Sequence, residues 1–347
     1  MSHAVDYLMK FMLGLSQTLE RWEYLWRKQN VTYWAFAWSA LSLFTYIFFS
    51  GPAQGIERPF WYRIFTAYIL QNIPTIFAGL LCIRNGVSRR MPSGSQVWLL
   101  FGTALLSYST GNIFFSSWEL VWHLNSTGSL GDPFFVIFYI CLLLAMFTAI
   151  VNKRVRLNIY QWAIVLGISI YAATILLWIL KPPADSSPTV VAAASAPASQ
   201  VQTAAITSAA TPAPTLAAPA VEPTPDAPGW VMFFDGILKP FGQNLNAFYV
   251  WCDIALFAMA IVMILAFWGG RLSNAWQFIA QGITCYYIAD MWFAYAGNQI
   301  KDYQGGFMLE VFWILGAIQF GVAAGIEFEH MLARQQGNED WIYDEMG

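Results

Sequence analysis

Charged side chains are scarce in this sequence. Only 11% of its 347 residues are Asp, Glu, Lys or Arg, against 58% apolar. A water-soluble domain of this length cannot cover its surface with so little charge, so the composition excludes an ordinary soluble fold and sends the apolar excess to lipid. Histidine is scarcer still, at three residues: His3 and His330 flank the membrane on one side and His123 falls at the opposite rim, which does not support a haem held between two facing intramembrane histidines. No lysine lies inside an apolar run, so a retinal Schiff base has no attachment point. The four cysteines, Cys82, Cys141, Cys252 and Cys285, sit in or at the ends of four different runs without CxxC spacing, which is neither a disulfide framework nor a zinc pattern. A Gly-rich phosphate loop, a serine nucleophile motif and a His-rich metal set are all missing. These absences lead us to expect no enzyme activity, no cofactor, no bound metal and no nucleic-acid partner.

What is present is apolar sequence at residues 31–50, 62–83, 97–118, 133–151, 161–180, 245–268, 275–296 and 307–326. Each stretch is close to the roughly 20 residues that cross about 30 Å of hydrocarbon as a helix. The expected fold is all-α: a polytopic bundle of eight transmembrane helices, organised as four plus four. After the second span of each half comes a turn with glycine and arginine, Arg84-Asn85-Gly86 and Gly269-Gly270-Arg271, and each fourth span carries an aromatic pair, Phe138-Tyr139 or Phe312-Trp313. Because each half has an even number of spans, the two halves (31–151 and 161–326) run in the same direction, giving a parallel repeat.

Twelve of the seventeen Lys and Arg residues fall on the side of the N-terminus, among them Arg27, Lys28, Arg84, Arg89, Arg90, Lys153, Arg154, Arg156 and Arg334. The other side holds Arg58, Arg63, Lys181, Lys239 and Lys301. The positive-inside bias therefore predicts two cytoplasmic termini, in the inner membrane of a bacterium. No basic start with a short apolar core and cleavage site precedes the first span, so the mature chain is expected to begin near Met1.

Three segments lie outside the spans. Val5, Leu8, Met12, Leu15, Leu19, Trp22 and Trp26 recur at spacings of three and four, which predicts an amphipathic helix within residues 1–30, lying in the headgroup layer or binding a partner. Residues 182–228 are rich in Ala, Pro, Ser and Thr and contain no aromatic residue, cysteine, Lys or Arg, so they offer no core and are expected to form a disordered outer linker. Residues 327–347 are expected to form an acidic cytoplasmic tail.

Scarcity makes the ionisable residues in the spans the candidates for function. Glu119 closes span 3, Asp132 opens span 4, Asp253 lies in span 6, Asp290 in span 7 and Glu310 at the start of span 8. Under the predicted topology all five lie in the outer half of the bilayer, roughly 0–14 Å below its surface. With Asn112 they are the candidate ligand- or cation-binding set. Hydrogen bonds from Asn112, Tyr286, Tyr287 or Asn298 are the expected partners of these acids. Their alternative role is as interhelical hydrogen bonds that orient the bundle.

The run Ser107-Tyr108-Ser109-Thr110-Gly111-Asn112 through Trp118-Glu119, then Gly131-Asp132-Pro133-Phe134-Phe135 and Phe138-Tyr139, resembles the multi-pass membrane sensor regions of bacterial diguanylate cyclases and sensor kinases. The second half echoes it with Ala289-Asp290, Tyr295, Gly306 and Phe312-Trp313. No cyclase or kinase domain follows span 8, so the resemblance implies a sensor-like or accessory membrane subunit without its own output enzyme. Its expected partners are the bilayer and another membrane protein or a second copy of itself. A proton- or cation-coupled transporter is the alternative reading.

Overall fold

A computed structural model of the chain describes residues 28–53, 57–88, 91, 94–124, 128–152, 157–179, 227–266, 274–300 and 303–335. The expected amphipathic helix ahead of residue 28, nearly all of the Ala/Pro-rich segment and residues 336–347 lie outside them. The described residues are helical, with no strand among them. The helices are α1 (Lys28–Phe49), α2 (Phe60–Val87), α3 (Ser95–Leu120), α4 (Asp132–Asn152), α5 (Ile159–Ile179), α6 (Gly229–Leu238), α7 (Gly242–Ala266), α8 (Asn274–Gln299) and α9 (Val311–Gln335, after a 3-10 turn at Met308–Glu310).

Seven of the described helices are long and apolar enough to cross a membrane, namely α1 to α5, α7 and α9 with its preceding turn. The surface agrees: α5 leaves Ile159, Tyr160, Trp162, Leu166, Ile170, Tyr171, Leu177 and Trp178 exposed. Exposing such side chains to water rather than burying them costs about 1.5–3 kcal/mol each, a cost that lipid removes. This is the build of an integral membrane protein. The expected seventh span, α8, falls outside the seven. Its 26 residues would cover about 39 Å at 1.5 Å per residue, but Asn274, Gln277, Gln281, Asp290, Asn298 and Gln299 lower its hydropathy. The physical reason lies in its surroundings. Helix α8 packs between α7 and α9 and against α5, burying Trp276, Ile279, Ala280, Ile283, Tyr286 and Ala289, so protein rather than lipid meets much of its surface.

The strong helix pairs close a ring, α2 to α3, α4, α7, α8, α9 and back to α2, with α1 outside against α9 and α5 outside against α7. Small residues set the closest crossings, as in other membrane bundles. A Cβ on Gly111 of α3 would meet the Gly131 carbonyl at 3.0 Å, and a Cβ on Gly282 of α8 would meet the Gly316 carbonyl of α9 at 3.0 Å.

Helix α2 is irregular, and the sequence says why. Pro74 has no N–H, so the carbonyl four residues earlier, on Leu70, loses its helical partner. Trp38 of α1 replaces it, donating Nε1–H to Leu70 O at 3.0 Å. Just before this point Phe65–Leu70 forms a π-turn, with Gln71 N–H donating to Thr66 O at 3.1 Å. The carbonyl of Ala67 accepts from the side-chain amides of Asn72 (2.7 Å) and Asn112 (2.9 Å). Broken helical bonding inside a membrane is tolerated only when other groups take over in this way.

Two further features are new relative to the sequence. Helix α6 buries Val231 and Asp235, one turn apart, and exposes Trp230, Met232, Phe233 and Ile237; at 10 residues it cannot cross a bilayer and has the form of an interfacial helix. Helix α9 continues through Gln335, so Glu327 and Glu329, counted with the acidic tail, are helical, and Glu327 is buried.

Candidate functional site

The loops at one end of the bundle are stitched together by backbone-directed hydrogen bonds. Arg58, buried between the α1–α2 and α8–α9 loops, donates Nε–H to Ser50 O (2.8 Å), Nη1–H to Gln304 O (2.6 Å) and Nη2–H to Pro52 O (3.2 Å). Tyr62 donates to the carbonyl of Gly306 at 2.8 Å. Gly306 has φ +102°, a left-handed conformation suited to glycine, and a Cβ there would also meet the Tyr62 ring at 3.0 Å. On the far side of the same end, Trp118 donates Nε1–H to Asp235 of α6 at 3.3 Å, tying the end of α3 to the interfacial helix.

Between these loops lies a half-enclosed cavity of about 200 Å³. It is lined by the end of α1 (Tyr46), the start of α2 (Arg63 to Gln71), the last turns of α3 (Tyr108 to Leu120), the starts of α4 and α7, the end of α8 (Asp290, Phe293) and the start of α9. Of the six candidate residues, Asn112, Glu119, Asp132, Asp290 and Glu310 line it. Asp253 stands one hydrogen bond behind, accepting from the Tyr139 hydroxyl at 2.9 Å.

Each carboxylate is held in place by a neighbour. Asp290 accepts from Trp313 Nε1 at 2.8 Å and from the Tyr139 hydroxyl at 3.4 Å, so it and Asp253 meet at one phenol. Asp132 accepts from Tyr249 (2.7 Å) and from the Ser129 N–H (2.7 Å). Glu310 accepts from the Gly306 N–H at 2.6 Å and from the Tyr303 hydroxyl. Burial, reinforced by the charge of Glu310, pushes the Tyr303 phenol well above its ordinary range, so it keeps the proton it donates. Glu119 is the one acid of this set with an ion-pair partner among the described residues, Arg63 at 2.5 Å, and both are partly exposed. These partners differ from the expected Asn112, Tyr286, Tyr287 and Asn298. Asn112 donates to Ala67 O, and Asn298 donates to Ala294 O in its own helix.

Six aromatic rings form much of the wall, a feature that the sequence reading missed. Tyr139 stacks on Tyr249 with centroids 5.4 Å apart, Tyr249 meets Phe135 at 6.4 Å, Phe135 meets Phe115 at 6.1 Å, Phe115 meets Phe293 at 6.0 Å and Phe293 meets Trp313 at 5.5 Å. Trp313 and Tyr139 both donate to Asp290. The six rings and one carboxylate thus form a closed circuit of contacts within the cavity lining. With aromatic residues at 17% of the chain, no spacing rule separates these six from the rest. The described residues contain no group of three or more His, Cys, Asp or Glu arranged to hold a metal ion. The arrangement can therefore surround a small polar or charged molecule with rings and fixed carboxylates. No family model matches this chain, and no curated protein or solved structure shows significant similarity to it.

Proposed function

We propose that this protein binds a small ligand or cation in the cavity at one end of its helix bundle, working as a sensor-like or accessory subunit beside another membrane protein or a second copy of itself. The observation that carries this reading is the convergence of Asn112 and Glu119 of α3, Asp132 of α4, Asp290 of α8 and Glu310 before α9 on one cavity. Residues serving only as interhelical glue would have no need to surround shared space. The test is gentle purification from the native membrane, followed by mass spectrometry of small molecules that remain bound. Replacing Ser116, which lines the cavity, with tryptophan should remove the bound molecule while the folded protein is retained. An identical small-molecule profile in the two proteins overturns the reading.

The same proposal includes eight spans, a parallel four-plus-four repeat, and cytoplasmic termini that put the cavity on the outer face. Support for α8 as a span comes from the cavity, which is lined by the start of α7, the end of α8 and the start of α9; a chain that begins two spans at one end must return between them. Support for the repeat comes from a constant offset of 178 residues that relates Trp98 to Trp276, Tyr108 to Tyr286, Asn112 to Asp290, Phe115 to Phe293, Gly128 to Gly306, Asp132 to Glu310 and Phe135 to Trp313. Gly128 and Gly306 share positive φ. Asp132 and Glu310 each accept from a backbone N–H three or four residues earlier. Tyr108 touches Tyr286 (5.2 Å) and Phe115 touches Phe293 (6.0 Å), as equivalent residues do across a two-fold axis.

The transporter alternative is favoured by one feature, the π-turn of α2. Thr66, Ala67 and Gln71 from that irregular turn line the cavity, and locally unwound helices beside a binding site are what many carriers use. Uptake of a labelled cation by reconstituted vesicles, abolished in Asp290→Asn, would favour the carrier over the sensor.

A further inference from the structure

We infer that the ligand of this cavity is an organic cation, a substituted ammonium with apolar groups on nitrogen. The inference rests on the reading of the cavity as a binding site and goes on to name the chemistry. Its ground is the circuit of Tyr139, Tyr249, Phe135, Phe115, Phe293 and Trp313 closed by Asp290. Ring faces carry negative potential and attract a cation whose charge is spread over alkyl groups, the chemistry by which aromatic cages take quaternary ammonium ligands. Asp290 supplies a carboxyl group within that wall, and its two oxygens are already oriented by Trp313 and Tyr139.

Charge balance points the same way. Four carboxylates line the cavity, Glu119, Asp132, Asp290 and Glu310, against the single guanidinium of Arg63, which is committed to Glu119. The hydrogen bonds that hold Asp132, Asp290 and Glu310 come from neutral donors. Arg58 lies behind Glu310 with its three guanidinium nitrogens on backbone carbonyls, so its charge offsets Glu310 without its side chain lining the cavity. An anion would be repelled by whichever of these carboxyls are ionised, whereas a cation entering among them favours their charged forms. A bare metal ion would find no chelating set of three or more acids, histidines or cysteines among the described residues. At about 200 Å³ the space suits a small molecule or the headgroup of a lipid rather than a peptide. Both sources share the substituted-ammonium chemistry.

The test uses the full chain in nanodiscs of phosphatidylglycerol, titrated calorimetrically with choline and with its uncharged carbon isostere, 3,3-dimethylbutan-1-ol. The inference predicts that choline binds at least about tenfold more tightly than the isostere. Asp290→Asn and, separately, Phe115→Leu should each weaken choline by about tenfold or more. Phe115→Leu touches no carboxylate, so it carries the test if the Asp290 variant fails to fold. Repeating the titration in phosphatidylcholine nanodiscs separates the sources: suppression of choline binding assigns the site to a lipid headgroup, and unchanged binding assigns it to a free amine, each in support of the inference. Equal binding of choline and isostere overturns the cation assignment while leaving the cavity as a binding site. Binding of sodium or potassium without choline, or no binding of either organic probe, also overturns it; the cavity reading itself then stands or falls on the small molecules lost in Ser116→Trp.

Discussion

Asp290 sits where three kinds of interaction meet: an indole N–H at 2.8 Å, a phenol at 3.4 Å and the open cavity. Removing its acceptors leaves the Trp313 indole N–H unmet, at about 1–3 kcal/mol, while the Tyr139 hydroxyl keeps Asp253 as its acceptor. Asp290→Ala should therefore destabilise the protein by about that amount in detergent unfolding, whereas Asp290→Asn keeps an acceptor for Trp313 and should lose less. Equal stability of wild type and Asp290→Ala would mean that these bonds are replaced by water. The acids were readable from the sequence because charge is rare in apolar spans, so each one is visible against its background. Their partners were not readable. Whether Asp132 meets Tyr249 or Asp253 meets Tyr139 depends on the rotation of two helices about their axes, which hydropathy does not encode.

At the scale of the element, helix boundaries followed from apolar runs to within a few residues, since a hydrocarbon slab demands segments of set length, except at the end of α9, which continues from the expected residue 326 to Gln335. The π-turn of α2 did not follow. Pro74 marks a break, but the carbonyl it frees is met by a tryptophan 32 residues earlier. Trp38→Phe should cost about 1 kcal/mol through the unmet Leu70 carbonyl. In a Pro74→Ala background, which restores an N–H at position 74, the same change should cost less, and the difference is read from a double-mutant cycle of thermal unfolding. Additive losses would separate the two residues. Helix α6 also escaped the sequence reading, because its ten residues are too few for a span and lie directly after a proline-rich segment. At the α8–α9 crossing, Gly282→Val should lower the yield of folded protein, since a Cβ already meets a carbonyl oxygen at 3.0 Å and Phe320 at 3.0 Å. Normal yield and stability would show that the helices can separate at no cost.

At the scale of the whole molecule, the proposed two-fold axis explains why one cavity draws on both halves of the chain: Asn112 and Asp290, or Asp132 and Glu310, are equivalent positions facing the same space. That offset was present in the sequence but hidden, because comparing the halves span by span around their aromatic pairs obscures a residue-by-residue alignment. The proposed topology is tested by cysteine labelling, in which a probe at Ala205 should react from outside and one at Ser88 should not. A reversed pattern would invert the orientation and turn the cavity to the cytoplasm. Topology, cavity and charge together are tested by a single cysteine at Ser116, in a chain whose Cys82, Cys141, Cys252 and Cys285 are replaced by alanine. Ser116 lines the cavity beside the carboxylates, so a trimethylammonium-bearing methanethiosulfonate applied from outside should react at least about tenfold faster than a sulfonate-bearing one, as expected for focusing of a cation by a negative cleft. Equal rates for the two reagents, or reaction only from the cytoplasmic side, would contradict an outward-facing site for cations.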